Sequence, residues 1–268
     1  MKTIAILCAL DTKGPEFSFL KTEIEKRGFT TLVIDSGVLG APFFTPDISN
    51  QRVAEAGGTP LNDLITRNDR GEAMTVMARG AAKVVRQLYD ERKIDGIISV
   101  GGGGGTSVAT NAMRALPVGF PKLMVSTVAA GDTSAYVGTT DITMMPSIVD
   151  VAGINRISRM IYTNAAGAIC GMVAGEVAPV TEDKPLIAAT MFGNTTRAVN
   201  HAKAILEVAG YEVLVFHATG TGGQTMESLA DNRLFAGVLD MTTTEWADEI
   251  CGGVLSAGSS RLEAASKT

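Results

Sequence analysis

Five consecutive glycines, Gly101 to Gly105, constrain this chain more than any other feature. They follow the β-branched run Ile94-Asp95-Gly96-Ile97-Ile98-Ser99-Val100 and precede Val108 to Leu116, whose composition is helical, so they occupy a strand-to-helix turn. Ordering a glycine is entropically costly, and a mere connection does not need five of them. In such a turn glycine admits positive φ and lets main-chain N–H groups approach a ligand. Thr106 or Ser107 is placed to cap the helix, whose positive end attracts anions. A phosphate is the natural guest. The turn is not a Walker A loop, because no Gly-Lys-Ser/Thr follows, and it lacks the N-terminal βαβ context of a dinucleotide fingerprint.

With 268 residues, 46% of them apolar and only 5% aromatic, the chain has enough material for one large α/β domain or two small ones. A net charge of −5 without a basic run lacks the footprint of a nucleic-acid binder. Met1 to Leu10 reads as a first buried strand rather than a signal peptide, since its apolar part is short and meets Asp11-Thr12-Lys13. The stretch Ala165 to Ala178 is Ala/Gly-rich, interrupted by Glu176, and too short to cross a bilayer. The expectation is a cytoplasmic protein without a membrane partner. Cys8, Cys170 and Cys251 are too far apart to suggest a zinc site and read as buried free thiols.

Periodicity predicts strand 3–10, helix 16–27 and strand 30–35, then a long irregular segment, 36–70, punctuated by glycine and proline and suited to covering a site. Helix 71–92, strand 95–100, helix 106–115, strand 122–126, a short strand at 142–145, helix 150–165 and a small-residue segment to 178 follow. Beyond Pro185 the pattern restarts. At an offset of 182, Lys21, Glu25, Gly28, Leu32 and Val33 fall on Lys203, Glu207, Gly210, Leu214 and Val215. At an offset of 141, Leu88, Asp90 and Gly96 fall on Leu229, Asp231 and Gly237. Element order repeats with them, as in a duplicated βαβ unit. The expected fold is therefore α/β, with two Rossmann-like subdomains built on mainly parallel sheets. Residues 1–180 form the first and residues 181–268 a second that ends early.

Ligands of open parallel sheets bind beyond the carboxyl ends of the strands. Asp11-Thr12-Lys13-Gly14 follows the first strand, where Lys13 can neutralise a phosphate and Asp11 can hold a metal or a ribose hydroxyl. The second half offers His217-Ala218-Thr219-Gly220-Thr221-Gly222-Gly223, another glycine turn between strand and helix, with hydroxyls for phosphate oxygens. His217 stands beside it as a candidate donor or acid/base, although a strand-end histidine is more often structural; His201 reads as solvated. Gly131-Asp132-Thr133-Ser134 with Asp141, and Thr242-Thr243-Thr244-Glu245, supply groups that suit either Mg²⁺ or helix caps.

The runs Leu10 to Gly14, Val33 to Val38, Gly101 to Thr106, Ser126 to Thr133, Phe216 to Gly223, Leu239 to Glu245 and Gly252 to Gly258 resemble the tomato mosaic virus resistance protein family. The resemblance covers essentially the whole chain. It implies two Rossmann-like subdomains, ATP bound near the glycine loops, self-association into a homo-oligomer, and a protein partner; Mg²⁺ as a companion of the ATP rests on the carboxylates named above. The resemblance also implies further chain completing the second subdomain, and no general reaction. The alternative is an enzyme for a phosphorylated or carboxylated metabolite, with His217, Asp11 or Asp132 moving protons.

Overall fold

A computed structural model describes residues 1–175 and 183–267 and divides the chain into two compact units, Met1–Glu176 and Val177–Thr268. The first runs β1 (Thr3–Cys8), α1 (Leu10–Glu25), β2 (Thr30–Asp35), α2 (Asn50–Gly57), α3 (Leu61–Arg67), α4 (Arg70–Asp90), β3 (Gly96–Gly101), α5 (Gly103–Arg114), β4 (Lys122–Ser126), α6 (Ser134–Val137), β5 (Thr143–Pro146) and α7 (Arg156–Ala174). The second runs β6 (Leu186–Met191), α8 (Thr196–Val208), β7 (Glu212–His217), α9 (Thr221–Asp231), β8 (Gly237–Leu239), α10 (Thr244–Cys251) and α11 (Ala264–Lys267). Every pairing is parallel, in the orders β2-β1-β3-β4-β5 and β7-β6-β8.

Side chains alternate across a strand, so a sheet covered on both faces needs apolar residues at successive positions. β1 does this: Ala5 and Leu7 enter one core with α2, α4 and α5, while Ile4, Ile6 and Cys8 enter the other with α1 and α7. The strand order reverses between β1 and β3, and this is the topological switch point at which doubly wound sheets bind ligands.

Three expectations are corrected. The first helix starts at Leu10, not at residue 16, with Lys13 leaving helical geometry just before Pro15. Proline carries no N–H and its ring crowds the preceding turn, which accounts for the break. The segment 36–70 contains α2, capped by Ser49 and closed by Gly58 in the left-handed region at φ 91°, and α3. The helix expected at 150–165 runs from Arg156 to Ala174 and absorbs most of the small-residue segment, whose last residues lie outside those described. Among the described residues, no helix is long and apolar enough to cross a membrane. Cys8 and Cys170 are buried free thiols, as read from the sequence, but Cys251 is exposed.

In the second unit Arg261, only 1% exposed, is surrounded by carboxylates. Its Nε donates to Glu245 Oε2 at 2.7 Å, its Nη1 to Glu227 Oε1 at 2.9 Å and its Nη2 to Asp240 Oδ1 at 2.8 Å. Burial opposes the guanidinium charge, but the hydrogen bonds to Asp240 and Glu245 outweigh it and raise its pKa. Glu227 also accepts from Leu262 N and Ala264 N, so this one group ties the C-terminal segment to α9.

Two stability predictions follow from this packing. A Cβ on Gly80 would stand 1.9 Å from the Val53 carbonyl oxygen, so Gly80→Val should separate α2 from α4 and cost at least about 1–3 kcal/mol in chemical unfolding. Arg261→Met leaves buried carboxylates without their cation and should cost about 3–5 kcal/mol, read as early loss of the second unit in urea.

Candidate functional site

The turn after β3 differs from its expected geometry in an informative way. None of Gly101 to Gly105 has positive φ. Gly102 is the N-cap, with φ −78° and ψ −169°, and α5 begins without a side-chain cap. Thr106 is fully buried and faces inward, its hydroxyl donating to Gly102 O at 2.8 Å and lying 2.6 Å from Ser126 Oγ. It therefore pins the first turn of α5 to the end of β4 instead of capping the helix or facing a ligand.

Packing explains one glycine of the five. A Cβ on Gly101 would come within 3.1 Å of Gly105 Cα, so the helix needs a bare residue at the strand end. A Cβ on Gly102, Gly103 or Gly105 would find nothing closer than 3.7 Å, and one on Gly104 would reach Met74 Cε at 3.4 Å and Arg70 Nη2 at 3.5 Å. A Cβ is tolerated there. What the glycines preserve is open access to the amides of Gly103, Gly104 and Gly105, the first three of α5. No acceptor reaches these amides among the described residues, and Thr106 N is the first to find one, Gly102 O at 2.8 Å. Tyr136 Oη and Thr127 Oγ1 border the same turn. Arg70, exposed at the start of α4, has no ion pair or hydrogen bond among the described residues. Sequence reading missed it because it lies in the segment taken as irregular.

Across the switch point, the residues after β1 are turned toward the protein. Asp35, at the end of β2, accepts from Leu10 N at 3.0 Å and Gly37 N at 2.9 Å, placing a carboxylate on the first turn of α1. Asp11 Oδ2 accepts from Leu39 N at 2.6 Å. The Lys13 ammonium donates to Val151 O, so the charge expected from it is committed to the main chain; Thr12 is exposed. After β4, Gly131 N donates to Val128 O at 3.1 Å, and Asp132 Oδ1 accepts from Ser134 N at 2.9 Å, next to Thr133, the N-cap of α6. Hydrogen bonds from Ser134 hold the Asp132 carboxyl below its usual range, and the group caps the first amide of α6 from the residue before its N-cap. Asp141 sits at the opposite end of β4, accepting from buried Lys122 Nζ at 2.6 Å, and is remote from these turns.

The second glycine turn already holds an anion. Glu245, fully buried, accepts through Oε1 from Gly220 N at 2.7 Å and Gly223 N at 3.0 Å. A Cβ on Gly223 would meet Glu245 Oε2 at 2.0 Å, and one on Gly222 would meet His217 O at 1.8 Å. The expected phosphate surface is thus occupied by the protein's own carboxylate, and these glycines answer to packing. Thr221 opens α9, while Thr219 N and Oγ1 both donate to His217 O, at 2.8 and 3.4 Å. His217 is exposed at the end of β7, its ring 5.3 Å from that of Phe192. Thr242 bonds Thr195 and Thr190 instead of standing free for a metal. Among the described residues, no three histidine, cysteine or acidic groups converge as metal ligands.

Family models match both parts of the chain: the N-terminal domain of the uncharacterised protein family UPF0261 over residues 2–178, and its C-terminal domain over 184–268. A UPF0261 protein of Clostridium tetani is 58% identical over 99% of this chain, and one of Mesorhizobium japonicum is 45% identical over 100%. The chain spans 66% of the length of each of these relatives. The ToMV resistance protein Tm-1(GCR237) of Solanum lycopersicum is 45% identical over 200 residues, 73% of this chain and 26% of that protein. The resemblance to the resistance family is therefore a partial match. Among solved structures, Acinetobacter baumannii MurG aligns at 17% identity and TM-score 0.34, covering 91% of this chain and 66% of that one. The chain belongs to the UPF0261 family.

Proposed function

We propose that the first unit binds a phosphate-bearing ligand, ATP by the family resemblance, at the crevice beyond the carboxyl ends of β1 and β3. The observation that carries this reading is the set of unmet amides at Gly103, Gly104 and Gly105 beside the unpaired guanidinium of Arg70. Backbone N–H groups at a helix start favour negative oxygen, and an arginine adds a planar fork matched to phosphate. Arg70 takes the part expected of Lys13. Mg²⁺ arrives with the phosphates rather than in a cage built by the protein. The acid/base reading is less favoured, since Asp132 is engaged as a cap and His217 lies in the other unit, beside a turn filled by Glu245. Self-association and a protein partner belong to this reading on the resemblance alone, and cytoplasmic residence on the composition of the chain.

Ligand that binds only the folded state raises the melting temperature, with about 2.7 kcal/mol of stabilisation at a hundredfold excess over Kd. ATP should stabilise the chain in this way. Gly103→Val has room at its Cβ, 3.7 Å from Tyr136 Oη, and should melt near the parent temperature while losing the ATP shift. Arg70→Ala should weaken binding about 10- to 100-fold, the worth of a charge-assisted hydrogen bond. An absent shift with wild-type protein defeats the proposal, and unchanged affinity in Gly103→Val moves the site elsewhere.

A further inference from the structure

Two buried side-chain oxygens lack a hydrogen-bond partner among the described residues, Asp11 Oδ1 and Asp35 Oδ2, and both belong to one cluster. Such orphans are rare in folded proteins and call for a specific explanation. Asp35 is 1% exposed. Its Oδ1 accepts from Gly37 N at 2.9 Å, and the Asp11 carboxyl lies against the same residue, 2.5 Å from where a Gly37 Cβ would be. The groups around the pair supply no cation. From β1, the buried Cys8 thiol donates to Ile34 O at 3.2 Å; on the following segment, Asp47 accepts from Val33 N at 2.7 Å; on α1, Lys13 is held at Val151 O. Neither carboxylate has an ion pair with lysine, arginine or histidine among the described residues.

We propose that Asp35 holds a proton on Oδ2 next to Asp11, and that the two carboxyls act as an acid latch on the segment that follows β2. A proton needs no cavity, and it removes the negative charge of the buried Asp35 carboxyl, which has the Asp11 carboxyl as its neighbour across Gly37. The latch has visible fastenings. Gly37 N is held by Asp35, Leu39 N by Asp11 at 2.6 Å and Phe43 N by Leu10 O at 3.1 Å, while the Leu39 and Phe43 side chains are 78% and 62% exposed. Burial is the largest influence and raises the Asp35 carboxyl above its usual range against the amides of Gly37 and Leu10, with the Asp11 charge adding to the rise. The folded state therefore keeps a proton that the unfolded chain gives up. The associated stability is present at low pH and is lost as pH rises through the raised value. The consequence for ligand rests on the phosphate site proposed above: deprotonation adds a negative charge at the start of α1, so affinity for ATP falls over the same range.

Carboxyl-carbon NMR of the ligand-free chain tests the proton directly. The Asp35 carboxyl should titrate above the usual aspartate value of about 3.9, with stability declining as it does so. Asp35→Asn keeps an acceptor for Leu10 N and Gly37 N and supplies an N–H in place of the O–H, so it should fold normally and abolish that decline, whereas Asp35→Ala should be less stable at every pH. In Asp35→Asn the difference in ATP affinity from wild type should open only above the titration. Asp35 ionising in the usual range, or Asp35→Asn as damaging as Asp35→Ala, overturns the latch. If the proton is found but ATP does not bind, the ligand reading fails and the latch stands.

Discussion

A helix that begins at the end of a parallel strand leaves its first amides without partners, and what each helix does about them organises this protein. α1 receives the Asp35 carboxylate on Leu10 N, and α9 receives Glu245 on the amides of Gly220 and Gly223. Among the described residues, α5 receives no acceptor at Gly103, Gly104 and Gly105. Among these three helix starts, the electrostatic demand is answered from within at α1 and α9 and left open at α5. The open instance lies beside the strand reversal, where doubly wound sheets take their ligands.

The carboxylates that answer the demand are themselves held from far along the chain. Glu245 is fixed by Arg261, whose further bonds to Glu227 and Asp240 gather α9, the segment after β8 and the C-terminal turn into one buried network. A lone buried glutamate would be costly, and its arginine with two glycine amides satisfies both of its oxygens. Asp35 has two amides and no cation, leaving one oxygen unmet in the first unit. The two internal carboxyls are thus unequal: one is saturated, the other leaves a buried oxygen that the proposed proton would serve.

Much of the architecture was legible in the sequence, because strands buried on both faces must be apolar at consecutive positions, and Ile97-Ile98 or Leu123-Met124-Val125 admit little else. The repeat was legible too, as strand, helix and strand recur in β1-α1-β2 and β6-α8-β7. What escaped depends on partners distant in sequence. Nothing near Leu10 announces a helix start, since Asp35 supplies the acceptor from 25 positions away. Glu245 looked like a cap or a metal ligand until Arg261 closed on it. Runs of glycine read alike in one dimension, yet Gly222 and Gly223 are required by atoms within 2 Å of an added Cβ, and Gly102 and Gly103 by no protein atom nearer than 3.7 Å. The short helices α2 and α3 were hidden by the glycines and prolines that bound them, and Arg70 was hidden with them.

The unequal availability of helix-start amides is the central claim, and amide-resolved NMR reads it directly. On addition of ATP, the N–H resonances of Gly103, Gly104 and Gly105 should shift while those of Gly220 and Gly223, already bound to Glu245, stay in place. Shifts at Gly220 and Gly223 with none at Gly103 to Gly105 would contradict the account.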